Sequence, residues 1–450
     1  MKNKKIRENL IVIFSLFFIF YLLIKNAIHA PFTVDDEYNN FYWANPGLIF
    51  GPERGYFQTL IDSIVGFLRL GRLLIIHLTV IITRAKLFGV NPLLHHWLVF
   101  IFGLTTAFFV YKVFEKAAIS KQNSFIGAIL YLTGYAYAEI FFRLSSGECT
   151  GNLFLLISVY FIVSFSNNNK PSNFYWSALF AFFTALSKES YLILFPLIFA
   201  IPFLFMDLAH WKSLIINNKF KVYLVGSIFA VLILGLFVTI KYSGIVFSYG
   251  QPLSKLDTFI NNSIWLFKWF LLFLPVVLFA LFDYLKKNNF RTLIPLMIFI
   301  AGWIIAQLVV YNKVIISFSQ GRYMMPAGLV LILSIVLALE HFKLTSKLGY
   351  KIVLLVTLLL IVRNAKIVYI NANEFNAKAT AYNNLIDRMV ESKADRIAVY
   401  GGVEFFQSIK TYFIAKNYSP KLITTDVVYP EGYTNDYSDE NYKNELQNIL

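Results

Sequence analysis

The sequence predicts an all-α polytopic membrane protein of about eleven transmembrane helices plus interfacial helices, with a small C-terminal α/β appendage. Three observations predict this class. Of 450 residues, 58% are hydrophobic and only 14% charged, against roughly 45–50% apolar and 25% charged in an average soluble domain. Apolar runs of about 20 residues, the length that crosses hydrocarbon as a helix, recur through residue 370. From residue 371 the hydropathy falls and the pattern changes.

The N-terminal stretch "MKNKKIRENLIVIFSLFFIFYLLIKNAIHAPF" carries a basic flank and an apolar run. A signal peptidase cut after Ala30 would need a small residue three positions back, where Ile28 stands. The run therefore reads as a signal-anchor retained as the first span, 9–28. Further spans are expected at 92–112, 122–142, 150–166, 174–187, 190–206, 222–241, 263–284, 292–311, 323–341 and 351–370. Segment 72–88, "RLLIIHLTVIITRAKLF", is short, contains His77 and has cations at both ends. It either spans or lies flat in the interface. Lying flat puts the larger share of the flanking Lys and Arg on the inner side, as the positive-inside rule favours. The N-terminus is then cytoplasmic and the tail extracytoplasmic.

In the tail, "NEFNAKATAYNNLIDRMVESK" has helical periodicity and "DRIAVYGG" resembles a short buried strand. "VEFFQSIKTYFIAKN" is again helical, and "PKLITTDVVY" reads as a second strand. Net charge is +15, with the cations mostly in connections between apolar runs. That distribution points to topology and to anionic headgroups or phosphates, and away from nucleic acid. A single cysteine, Cys149, excludes an internal disulfide and a cysteine-based metal site.

With 72–88 flat, the unexplained charges share the outer face: Asp35, Asp36 and Glu37; Arg69 and Arg72; Arg143 and Glu148; Lys188 and Glu189; and Arg322. Ionisable groups at membrane depth are costly and mark sites or pathways. The triplet Asp35–Glu37 sits beside the aromatic run "YNNFYW". Crowded carboxylates in a partly apolar setting gain basicity, and adjacent ones also suit a hard divalent cation. Metal candidates are Asp35, Asp36 and Glu148; beyond such a divalent metal the residues indicate no cofactor.

"RLGRLL" places Arg69 and Arg72 one helical turn apart after the amphipathic stretch "YFQTLIDSIVGFL". They are either snorkelling cations or bidentate phosphate ligands. Glu139 and Arg143 stand i,i+4, the spacing of a structural ion pair. Glu148 has no such neighbour and opens a helix, where an acid is favoured by the helix dipole. "ALSKESYLILFP" holds Lys188 and Glu189 in a very tight connection, and "SFSQGRYMMP" puts Arg322 and Tyr323 at the start of a late span. There is no P-loop, no GxSxG elbow and no zinc-spaced histidine pair, His95 and His96 being adjacent.

In order along the chain, "DDEY" at 35–38, the acid Glu148 opening a helix, "LSKES" at 186–190 and "GRYMMP" at 321–326 resemble the motifs of GT-C type integral-membrane glycosyltransferases. These include the protein O-mannosyltransferases and the lipid A aminoarabinose transferases. At the position of Glu148 many members carry an acid, commonly Asp. The resemblance covers the order of spans over residues 1–340. It implies a transmembrane transferase domain with a catalytic first outer loop, 29–91; with the change of pattern at 371, the chain divides into that domain, 1–370, and a small extracytoplasmic α/β domain, 371–450. It further implies transfer of a sugar from a polyprenyl-phosphate donor to an acceptor hydroxyl on a glycan, lipid or protein. Phosphate leaves readily as an anion, so one base and a set of cations suffice. By the motif match Asp36 is the base, with Asp35, Glu37 and Glu148 as further site acids. Arg69, Arg72, Lys188, Arg322, Tyr323 and Arg143 are donor-phosphate candidates. The other functions compatible with these residues are a polysaccharide polymerase or ligase, and a lipid-linked sugar flippase or other transporter.

Overall fold

The computed structural model describes residues 2–33, 55–69, 71–144, 146–201, 218–243 and 325–399, with 409, 412–413, 416–418 and 420–424 of the tail. Helices α1 (Lys2–Ile28), α2 (Tyr56–Arg69), α3 (Ile75–Phe88) and α4 (Pro92–Lys116) are followed by α5 (Lys121–Leu132) and a 3-10 stretch (Tyr135–Phe141). Then come α6 (Gly147–Asn168), α7 (Pro171–Ala185), a second 3-10 stretch (Glu189–Ile193) and α8 (Leu194–Ala200). Helices α9 (Lys219–Ser243), α10 (Met325–Thr345) and α11 (Lys347–Ser392) precede two short strands.

Local chemistry marks the helix ends. At α4, Asn91 accepts from the Leu94 N–H and Pro92 takes the first helical position. Ser346 caps α11 by accepting from Gly349 N–H at 3.1 Å. The other ends of α6 and α11 close on left-handed residues, Asn169 at φ 52° and Lys393 at φ 50°.

The helices pack around one aromatic-rich core. Phe20 of α1 stacks on Phe100 of α4 at 4.8 Å and meets Phe141 edge-on at 4.9 Å. The bundle has two distinct polar ends. At one, Lys121 pairs with Glu8 at 2.6 Å, and Glu340 accepts from Ser120 N–H, Ser120 Oγ and Asn123 Nδ2. The other end gathers the exit of α1, the starts of α3, α4 and α6, and the break after α7. There Phe32 lies edge-on to His95 at 5.5 Å, and the Ile76 N–H donates to Leu186 O at 3.1 Å.

Among the described residues five helices are long and apolar enough to cross a membrane: Lys4–Ile28, Pro92–Lys116, Gly147–Asn168, Lys219–Lys241 and Lys347–Ser392. The eleven spans read from hydropathy are not reproduced over these residues; 263–284 and 292–311 lie outside them. The expected span 122–142 breaks after Leu132, where Thr133 and Gly134 lead into 3-10 geometry. Helix α7 has 15 residues and α3 has 14, so each measures only about 21–23 Å against roughly 30 Å of hydrocarbon. Hydropathy counts apolar residues and does not register where a helix stops.

Helix α11 is one rod of 46 residues, about 69 Å long. Residue 371, where the hydropathy falls, lies within it. Its inner seam nonetheless continues through Ala372, Ala379 and Ile386, all buried. What changes at 371 is the exposed face, which turns polar. Beyond it, Arg396–Val399 and Lys421–Thr424 pair in parallel as β1 and β2. They are the only strands among the described residues, and two four-residue strands do not delimit an α/β domain.

Candidate functional site

Three connections that are far apart in sequence meet at one end of the bundle: 71–74, 146–148 and 186–189. Glycine permits the first approach. Helix α2 ends at Arg69, Gly71 turns the chain at φ 74°, and the Arg72 N–H returns to Phe67 O at 2.9 Å. Arg69 and Arg72 therefore do not share a helical turn, which corrects the expectation from their spacing. Arg69 stays exposed, whereas Arg72 turns inward and its Nε meets Glu189 Oε1 at 3.1 Å.

The second approach depends on Gly147 and Gly151, one turn apart on α6. A Cβ at Gly147 would stand 2.9 Å from Ser187 O and 3.3 Å from the His77 ring, and one at Gly151 would enter the Tyr191 ring. The missing side chains let the break after α7 settle onto α6. Tyr191 OH then donates to Asn152 Oδ1 at 2.6 Å.

Glu148 lies at the centre, 2% exposed, in the first turn of α6. Its Oε1 is paired with Lys188 Nζ, and its Oε2 accepts from Ser146 Oγ at 3.0 Å. The positive end of the helix dipole adds a third stabilising influence. Both carboxylate oxygens are thus engaged by protein donors. Glu148 therefore holds Lys188 in place at the start of α6.

Arg143 pairs with Glu139 at 2.5 Å, the i,i+4 ion pair that the spacing indicated. Asp35, Asp36, Glu37, Arg322 and Tyr323 lie outside the described residues. The structure thus brings Arg72, Glu148, Lys188 and Glu189 together, and turns Arg69 away. Among the described residues no group of three His, Cys, Asp or Glu side chains is arranged to hold a metal ion.

The sequence reading noted His77 only as a polar residue in segment 72–88 and did not name Arg84, and both are buried on α3. Their i,i+7 spacing, which puts both on one face of a helix, was the available signal. Burial pushes the His77 imidazole down to about 3, against a smaller opposing pull from Glu148. It is neutral at physiological pH. No protein-family model and no curated protein matches the chain.

Proposed function

We propose that the chain is a glycosyltransferase of the cell membrane. It moves a sugar from a polyprenyl-phosphate donor to an acceptor hydroxyl of a cell-envelope glycan, lipid or protein. The observation that carries this reading is the convergence of Arg72, Lys188, Glu148 and Glu189 on the end of the bundle where α1 ends, a few residues before Asp35–Glu37 in the sequence. A transporter would instead need its charges distributed along a path through the bundle.

In this scheme the N-terminus is cytoplasmic and the site end extracytoplasmic. The acceptor oxygen attacks the anomeric carbon while its proton passes to Asp36. The bond from that carbon to the phosphate oxygen breaks, and its electron pair leaves with the polyprenyl phosphate. Cations offset the phosphate charge. Glu189 aims Arg72 and Glu148 aims Lys188, with Arg322 and Tyr323 joining from the late span. Asp35 and Glu37 orient the acceptor or hold a divalent cation. Arg143, engaged with Glu139, supports the fold of its connection.

The test is sugar transfer from radiolabelled polyprenyl-phosphate sugars in membranes carrying wild type, Asp36→Asn or Arg322→Ala. Transfer should fall at least about 100-fold in Asp36→Asn, as for loss of a general base, while the protein still inserts. Undiminished transfer in that variant removes Asp36 as the base. An absence of transfer from every donor by the wild type returns the weight to a polymerase, ligase or flippase.

A further inference from the structure

The tail packs against the exit of α1, and does so by specific bonds. After α1 ends, residues 30–33 have no helix to receive their carbonyls. Asn383, on α11, donates from Nδ2 to Phe32 O at 2.7 Å. Tyr412 OH donates to Thr33 O at 2.9 Å. Two consecutive backbone acceptors are thus satisfied by side chains 351 and 379 residues away in sequence.

Packing holds the same place. Phe32 is 2% exposed and shares one apolar cluster with Ile386, Ile397, Ile409, Tyr412 and Phe413 of the tail. Val99 of α4, with Leu144 and Cys149 beside Glu148, completes the cluster. The tail therefore rests on the site end of the bundle and grips the chain by backbone and by side chain.

Asp35 follows Thr33 by two residues and Asp36 by three. Chain geometry keeps the Asp36 Cα within about 11 Å of the Thr33 Cα. Whatever fixes Thr33 confines where these carboxylates can be presented.

We propose that the C-terminal segment clamps the chain where it leaves α1, with Asn383 and Tyr412 as the residues that position Phe32 and Thr33. This rests on the transferase reading for its catalytic consequence, and on the two hydrogen bonds alone for its structural one. The role explains why a membrane protein packs a polar rod and tail residues against the exit of its first helix. It also accounts for the placement of donors, rather than merely apolar residues, opposite 32 and 33.

The experiment uses the full chain in membranes, with Cys149→Ala and Thr33→Cys providing one reporter thiol. Tyr412→Phe keeps the ring in its cluster and removes only the donor; Asn383→Leu removes the other. Maleimide labelling of position 33 should accelerate about fivefold for each donor removed, the factor for a net hydrogen bond. Without the reporter changes, the same two variants should lose about tenfold in kcat at nearly constant donor KM, as expected of a displaced catalytic group. Unchanged labelling in both variants overturns the clamp. Faster labelling with no transferase activity even in the wild type supports the clamp and overturns the transferase reading. Faster labelling with unaltered kcat overturns the positioning role.

Discussion

Lys188 and Glu148 illustrate what burial does to a charged pair. Each is costly to remove from water, and each is tolerable because the other lies against it. Lys188→Met alone leaves Glu148 buried beside Ser146 with its charge uncompensated. It should destabilise the protein by about 3–5 kcal/mol. The double variant Lys188→Met with Glu148→Leu should recover most of that loss, since two apolar side chains replace two charges. Thermal unfolding in detergent measures both. If the double variant is as unstable as the single one, the pair is not energetically coupled. Arg72 belongs to a different class, its side chain being 24% exposed opposite Glu189. The Arg72 guanidinium is thus partly open to water although the Glu189 carboxylate it meets is buried.

At the level of elements, α6 is made by its small residues. Gly147 and Gly151 form one face, Ser187 and Tyr191 fill it, and the break after α7 reaches Glu148 only because that face is flat. Gly151→Ala should cost about 1–3 kcal/mol by overpacking against Tyr191. The cost should shrink when Tyr191→Leu is added, a non-additivity that a double-mutant cycle reads directly. Strict additivity would show that the two residues do not compete for the same space. Sequence reading flagged "GECTGN" for its acid, Glu148, and passed over the glycines that make the acid reachable. It likewise placed Arg69 and Arg72 on one helix, because i,i+3 spacing was visible and the φ of Gly71 was not.

For the whole molecule, the two polar ends imply a membrane orientation. Lys121 and Glu8 sit at one end, while Lys416 pairs with Asp387 of the rod at 2.9 Å near the other. Cysteines introduced singly at Lys121 and at Lys416, in the Cys149→Ala chain, should label with a membrane-impermeant maleimide from opposite faces. Labelling from the same face would refute an arrangement with the two polar ends on opposite sides of the membrane. The membrane class, the first long apolar helix and the Glu139–Arg143 pair were legible in the sequence, as were the charges at 72, 148, 188 and 189 that the fold gathers at one end of the bundle. Each depends on local composition or spacing, which a one-dimensional pattern records. The breaks at Thr133 and Gly134, the unbroken run of α11 through residue 371, the exposure of Arg69 and the pairing of Lys188 with Glu148 were decided by the tertiary structure alone. So was the grip of Asn383 and Tyr412 on residues 32 and 33. Contacts between residues 40 to 379 positions apart leave no periodic trace, because what selects them is the shape and charge of a neighbour that only the folded chain brings near.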